Sequence, residues 1–302
     1  MNARTVWKLL RATYEAWMAD KAPRLAAAFA YYTVFALAPV LVIALGFAEL
    51  FLSGAEDQAI AQIQRLIGPH AAEAVRTMLA PRTSSKTDWL ATIIGFATLL
   101  VGATGLFAQL QDALDTIWQV QPKPDQGVVA MMKNRFFSFT MVLGIGFLML
   151  VSLVLSAVLE TIAVKLGGPA EDRTIAWKIV EASTSFLVTT GLFAATFKIV
   201  PDAEVRWRDV WIGAVATAVL FAVGKEVISA YLATENAASS YGAAGALVLL
   251  LIWIYYSAQI LFLGAEFTKV YAREYGSGIQ PAPNAEPVRE TAREEQGIPR
   301  TA

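Results

Sequence analysis

The chain has 302 residues, 56% of them hydrophobic and 16% charged, with a mean hydropathy of +0.51. A soluble domain averages about 45–50% apolar and about 25% charged residues, so both shifts point to a membrane protein. The net charge of −1 offers no basic excess for nucleic acid, and the absence of cysteine excludes disulfides, thiolate catalysis, iron–sulfur clusters and cysteine zinc sites.

His70 is the only histidine, which removes histidine-rich metal chemistry, and neither a cofactor nor a metal is expected. The opening MNARTVWKLLRATYEAW has no apolar h-region and no small-residue cleavage site, so no cleaved signal peptide is expected. Within residues 4–20, Val6, Leu9, Leu10, Thr13 and Trp17 recur at helical spacing, with Arg4, Lys8 and Arg11 elsewhere on the wheel. Residues 1–24 therefore read as a cytoplasmic helix, either lying in the membrane interface or packed on the protein.

About 20 apolar residues cross a bilayer as a helix. Six stretches qualify: 25–52, 89–110, 136–159, 179–197, 210–232 and 243–265. The expected fold is all-α, a six-helix transmembrane domain over 25–268. Between the first two spans, Ile60, Ile63 and Ile67, then Val75, Met78 and Leu79, predict short amphipathic helices over 54–88, broken at Gly68-Pro69. The tail 269–302 turns rich in Pro, Glu and Arg, and disorder is expected from about residue 276. Of the 24 Lys and Arg, 16 fall on the side of the N-terminal helix and the tail, which predicts both termini in the cytoplasm.

Lys225 and Glu226 interrupt the fifth span. A charge at membrane depth costs at least about 2.5–3.5 kcal/mol on insertion scales, so it needs a partner, water or a purpose. Counted from Val210, Lys225 lies about 22 Å along the helix, in the outer third. Ala218, Ala222, Ser229 and Ala233 fall between the two charges on the wheel, which predicts an inward groove flanked by the pair. Three readings stand open: an ion pair of Lys225 with Glu49 or Glu160, a polar outer cavity that meets a charged or amphiphilic substrate, and snorkelling.

Pro39 frees the carbonyl of Phe35 and is a hinge candidate, with Tyr31, Tyr32 and Thr33 as a cavity lining or as packing. The fourth span carries the hydroxyl run Ser183, Thr184, Ser185, Thr189 and Thr190, so a pathway would lie among spans one, four and five. On the inner side Glu266 pairs in depth with Arg135 and Lys269 as a buried clamp. Asp112 and Asp115, one turn apart below the second span, could serve a metal or acid–base chemistry but read better as a brace of the helix end.

RLAAAFAYYTVFALAPVLV (24–42), ATGLFAQLQDALDTIWQV (103–120), KIVPDAEVRWRDVWIGA (198–214) and YGAAGALVLLLIWIYYSAQILFLGAEF (241–267) keep a fixed order and spacing. Over about residues 10–275 the chain resembles the YihY/BrkB family of bacterial inner-membrane proteins, formerly labelled ribonuclease BN. The resemblance implies six membrane helices, both termini in the cytoplasm and, for some members, transport of lipid or lipopolysaccharide precursors. A nuclease is disfavoured by the residues themselves: one histidine, no large cytoplasmic domain and no basic groove.

No GxxxxGK[ST] occurs, so transport would be passive, ion-coupled or driven by a partner. The leading expectation is a non-enzymatic transporter or translocation factor for lipid or another amphiphilic envelope component. A small-solute or ion channel and a non-transporting envelope scaffold are the alternatives. Expected partners are membrane lipids and either other envelope proteins or further copies of the chain, but no nucleic acid.

Overall fold

The computed structural model describes residues 3–49, 89–123, 175–232 and 245–288, with the single helical positions 57, 60 and 76. The helices are α1 (Ala3–Ala19), α2 (Ala22–Glu49), α3 (Trp89–Trp118), α4 (Ile175–Ile199), α5 (Trp207–Leu232) and α6 (Gly245–Glu274). Helices α2 to α6 occupy the positions of the first, second, fourth, fifth and sixth expected spans. The expected third span, 136–159, and the helices expected over 54–88 lie outside the described residues, apart from those single positions. Among the described residues, Trp207–Ile228 and Leu247–Glu274 are long and apolar enough to cross a membrane.

The helix ends follow local chemistry. Asp20-Lys21 breaks α1 from α2, with Lys21 in the left-handed region (φ 54) and Pro23 in the first turn of α2, where its missing N–H costs nothing. Gln119 (φ 61) terminates α3 in the same left-handed conformation. Pro201 stops the chain just beyond α4, and Asp209 in the first turn of α5 complements that helix's dipole.

Helix α6 is the centre of the packing: α5, α2, α1 and α3 lie against it, while α4 packs on α5 and α2 on α3. The crossing of α5 and α6 is built from two Gly-x-x-x-Thr pairs. Gly213 faces Thr268, and Gly264 faces Thr217, so a Cβ on either glycine would enter the opposing threonine side chain. The hydroxyls of Thr217 and Thr268 donate to the carbonyls of Gly213 and Gly264, both at 2.7 Å. Small residues four apart let the backbones approach closely, and the back-bonded hydroxyls leave no polar group unsatisfied.

The main core gathers Ala26, Phe107, Leu114, Trp118, Phe197 and Phe262 at the end of the bundle that also holds the α1–α2 turn. Trp118 meets Phe197 edge-on at 6.5 Å, and Phe29 meets Phe262 at 6.0 Å. A smaller cluster, Ile228 and Leu249 with Trp253 and Tyr256, closes α5 on α6 at the opposite end.

Four short strands depart from the all-α expectation: β1 (Val120–Pro122), β2 (Ala203–Glu204), β3 (Gln280–Pro281) and β4 (Ala285–Pro287). Strand β1 pairs antiparallel with β4, setting Val120 opposite Pro287 and Pro122 opposite Ala285. Strand β2 pairs with β3, setting Ala203 opposite Pro281. The expected disorder from residue 276 is therefore corrected over 276–288, where the tail clasps both loops. Composition pointed to disorder because this segment has few apolar side chains. It is ordered instead by backbone hydrogen bonds to two loop edges and by Ala285, 4% exposed in the core. The tail beyond 288 lies outside the described residues.

Candidate functional site

Three polar arrangements stand out, two at the clasped end and one toward the opposite end of α5. The first is a buried charge cluster. Lys269 Nζ lies 2.6 Å from Asp20 Oδ2 and 2.5 Å from Glu266 Oε2, with side-chain exposures of 3%, 1% and 0%. The i, i+3 spacing on α6 brings Glu266 and Lys269 together, and the α1–α2 turn delivers Asp20. Lys269 donates a hydrogen bond to Asp20, and its ammonium lies as close to Glu266 Oε2. The expected clamp thus has Lys269 as its cation and gains Asp20; Arg135 lies outside the described residues.

The second arrangement is the clasp. Asp202 sits at its centre: its carbonyl accepts from Ala282 N–H at 3.0 Å, its carboxylate from Asn284 Nδ2 at 3.0 Å, and its own N–H donates to Asp115 Oδ1 at 2.7 Å. Lys123 donates from Nζ to the Pro283 carbonyl at 2.8 Å, and Gln121 Nε2 to Glu286 Oε1 at 2.9 Å. On the α5 side, Asp209 Oδ2 accepts from the Ser277 N–H and hydroxyl, and Gly276 is required there because a Cβ would lie 2.5 Å from that oxygen. Asp112 is exposed while Asp115 is buried. The two carboxylates do not form a common site, and among the described residues no His, Cys, Asp and Glu group could hold a metal.

Burial pushes Asp115 up to about 8, opposed by the Asp202 N–H and reinforced by the Asp202 and Asp112 charges. A carboxyl whose folded value is raised above its unfolded one binds a proton in the fold that the unfolded chain has lost. Its stabilising contribution is complete below the ordinary carboxylate range and falls as pH rises toward 8. Thermal unfolding between pH 6 and pH 8.5 is therefore expected to show declining stability. Asp115→Asn keeps the acceptor for Asp202 N–H and should flatten that decline, raising stability at pH 8.5 by on the order of 1–3 kcal/mol, the desolvation cost of one buried group. Identical pH profiles for the two proteins would refute the assignment.

The third arrangement is the Lys225–Glu226 pair on α5. The two groups bond each other at 3.9 Å, with side-chain exposures of 36% and 79%. The packed seam of α5 runs through Gly213, Thr217, Phe221, Gly224 and Ile228; Gly224 is held against Tyr256 and Ile260, where a Cβ would meet Ile260 at 2.5 Å. Lys225 lies at the edge of that seam and Glu226 almost opposite it, on the exposed side with Val219, Val223 and Val227. This corrects the expected inward groove: Ala218 is buried but Ala222 is exposed. The seam is set by the glycines and threonines that admit α6, and it runs beside the alanine wedge rather than through it.

The remaining candidates separate. Tyr31 and Tyr32, 58% and 42% exposed, meet edge-on on α2, where Tyr31 also lies tilted against Phe35, and Tyr32 passes Gly105 of α3. They belong to the α2–α3 side of the bundle, with α6 between them and the α4–α5 pair that carries Lys225. Among the described residues, the suggested union of spans one, four and five is therefore interrupted by α6. Thr33 and Thr190 bond the carbonyls of Phe29 and Phe186, one turn back, so their hydroxyls are satisfied within their own helices. Helix α2 is continuous through Pro39 and ends at Glu49. The side chains of Pro39, Glu49 and Ser229, and all of Glu160, lie outside the described residues. Asp20, Asp202 and the Gly-x-x-x-Thr pairs were not singled out from the sequence, although GAVAT and GAEFT carry the small-residue spacing that could have flagged the latter.

A largely helical chain with long apolar helices and a back-bonded glycine–threonine crossing defines an α-helical membrane protein. Residues 13–289 match the family described as Virulence factor BrkB, and the chain belongs to that family. It is 29% identical over 252 residues to a UPF0761 membrane protein of Pseudomonas aeruginosa, covering 82% of this chain and 59% of that one. It is 28% identical over 265 residues to one of Stenotrophomonas maltophilia (87% and 60%). A third, from Delftia acidovorans, is 28% identical over 274 residues (89% and 63%). The chain thus spans about three fifths of the length of the curated relatives it matches. No solved structure matches.

Proposed function

We propose that this chain crosses the bacterial inner membrane six times, with the clasped end in the cytoplasm, and moves lipid or another amphiphilic envelope component without catalysing a reaction. The excess of Lys and Arg on the side of the N-terminal helix and the tail supports that orientation. The observation that carries the transport reading is the Lys225–Glu226 pair, with Lys225 at the edge of the packed seam of α5 and Glu226 on its exposed side. The contact of Phe193 with Phe221 sets the register of α4 on α5. One turn further from the clasped end lie Thr189 on α4 and Lys225 on α5, so polar groups on two adjacent helices share one level. An outward carboxylate beside a half-buried ammonium at membrane depth offers a headgroup a polar foothold while the acyl chains stay in lipid.

The test is movement of fluorescent lipid between leaflets of liposomes holding the purified chain. Lys225→Ala with Glu226→Ala should slow it about tenfold, equivalent to about 1.4 kcal/mol in the barrier. Unchanged movement in that variant removes the pair from the mechanism. No lipid movement by the unaltered chain, with ion conductance in its place, would favour a channel.

A further inference from the structure

Helix α1 has three sides. Leu9 and Thr13 are buried against the bundle, and Trp17 packs on the main core. At about 100° per residue, the next arc carries Leu10, Tyr14, Trp7 and Met18, which are 50–70% exposed. The arc after that carries Arg11, Arg4 and Lys8, all exposed, with Arg11 bonded to Glu15 at 2.8 Å. The stripe read from the sequence is thereby divided: Leu9, Thr13 and Trp17 face the protein with Val6 between them on the wheel, while Leu10 turns away from it.

A helix side in contact with water does not place four large apolar residues in one row. The cationic arc beside the row indicates what covers it, a surface that is apolar within and negative at its boundary. Trp207 and Trp211, 50% and 45% exposed and flanked by exposed Arg206 and Arg208, repeat that combination where α5 begins at the same end. Exposed tryptophans beside arginines are the usual residents of a membrane–water boundary.

The geometry points to the outer side of α1 as a docking face for a leaflet containing anionic lipid, with Trp7, Leu10 and Tyr14 at the acyl boundary and Arg4 and Lys8 at the headgroup phosphates. A second copy of the chain would cover the apolar row but would present the same cations to themselves. This inference rests on residence in a membrane and not on lipid transport, so it can fail or hold whatever the transport assay gives.

The chain has no cysteine, so Leu10→Cys or Tyr14→Cys takes an environment-sensitive fluorophore without background. The full chain is placed in nanodiscs of phosphatidylcholine alone or mixed with phosphatidylglycerol, and quenching by spin-labelled lipid is compared with quenching by aqueous iodide. Lipid quenching should dominate in the anionic discs and weaken in the neutral ones. Arg4→Gln and Lys8→Gln should each reduce the anionic advantage by about fivefold, the scale for one cation beside an anionic surface. Iodide quenching in both discs, or equal lipid quenching in both, overturns the proposal. Protection from both quenchers with the mass of a dimer also overturns it, in favour of a second copy.

Discussion

Lys269→Ala is expected to destabilise the fold by about 3–5 kcal/mol, the cost of breaking a buried ion pair by removing one partner. The size follows from burial: Asp20 and Glu266 are 1% and 0% exposed and would face each other without the ammonium between them. Thermal unfolding in detergent, read with the yield of monodisperse protein, measures the loss. The two carboxylates are not equivalent. Asp20 reaches the ammonium from the α1–α2 turn and ties two distant segments together, while Glu266 is on the same helix as Lys269. Glu266→Gln should therefore be milder than Asp20→Ala. The triple variant Asp20→Asn, Glu266→Gln and Lys269→Met removes every formal charge and should recover most of the stability, because a neutral cluster of similar volume carries no charge to desolvate. A Lys269→Ala protein as stable as the original would show that the cluster is not closed in the membrane-embedded chain.

Gly213→Ala should cost about 1–3 kcal/mol, the usual penalty for adding atoms to a filled interface. Its Cβ would fall within 3 Å of three Thr268 atoms, and Thr268 cannot swing aside without giving up its bond to the Gly264 carbonyl. Gly213→Leu should prevent the α5–α6 crossing from forming. Thr268→Gly empties the space, so the double variant Gly213→Ala with Thr268→Gly should be no less stable than Thr268→Gly alone. Additive losses instead would mean that the two positions do not meet. Gly264→Ala against Thr217 gives an independent repeat at the second pair of the same crossing.

Residue type and spacing alone determined that this is a helical membrane chain, where α2 to α6 fall among the described residues, and which family it belongs to. A continuous run of about 20 apolar residues satisfies its own backbone in lipid by forming a helix, whatever its neighbours, so these features need no knowledge of contacts. Glu266 and Lys269 were readable as a pair for the same reason, because i, i+3 spacing puts them on one helix face.

Tertiary structure alone decided the rest. Asp20 lies 249 positions from Lys269, and no periodicity reveals that the α1–α2 turn meets the last helix. The tail has few apolar side chains, yet its backbone finds ladder partners at residues 120–122 and 203–204, an interaction that composition does not encode. Which side of α5 faces inward was likewise settled by its partner. The wheel showed where small residues cluster, but α6 packs where Gly213, Thr217 and Gly224 admit Thr268, Gly264 and Tyr256. That choice turns Glu226 outward and leaves Lys225 at the edge, because a helix can bury only the face whose shape its neighbour fits.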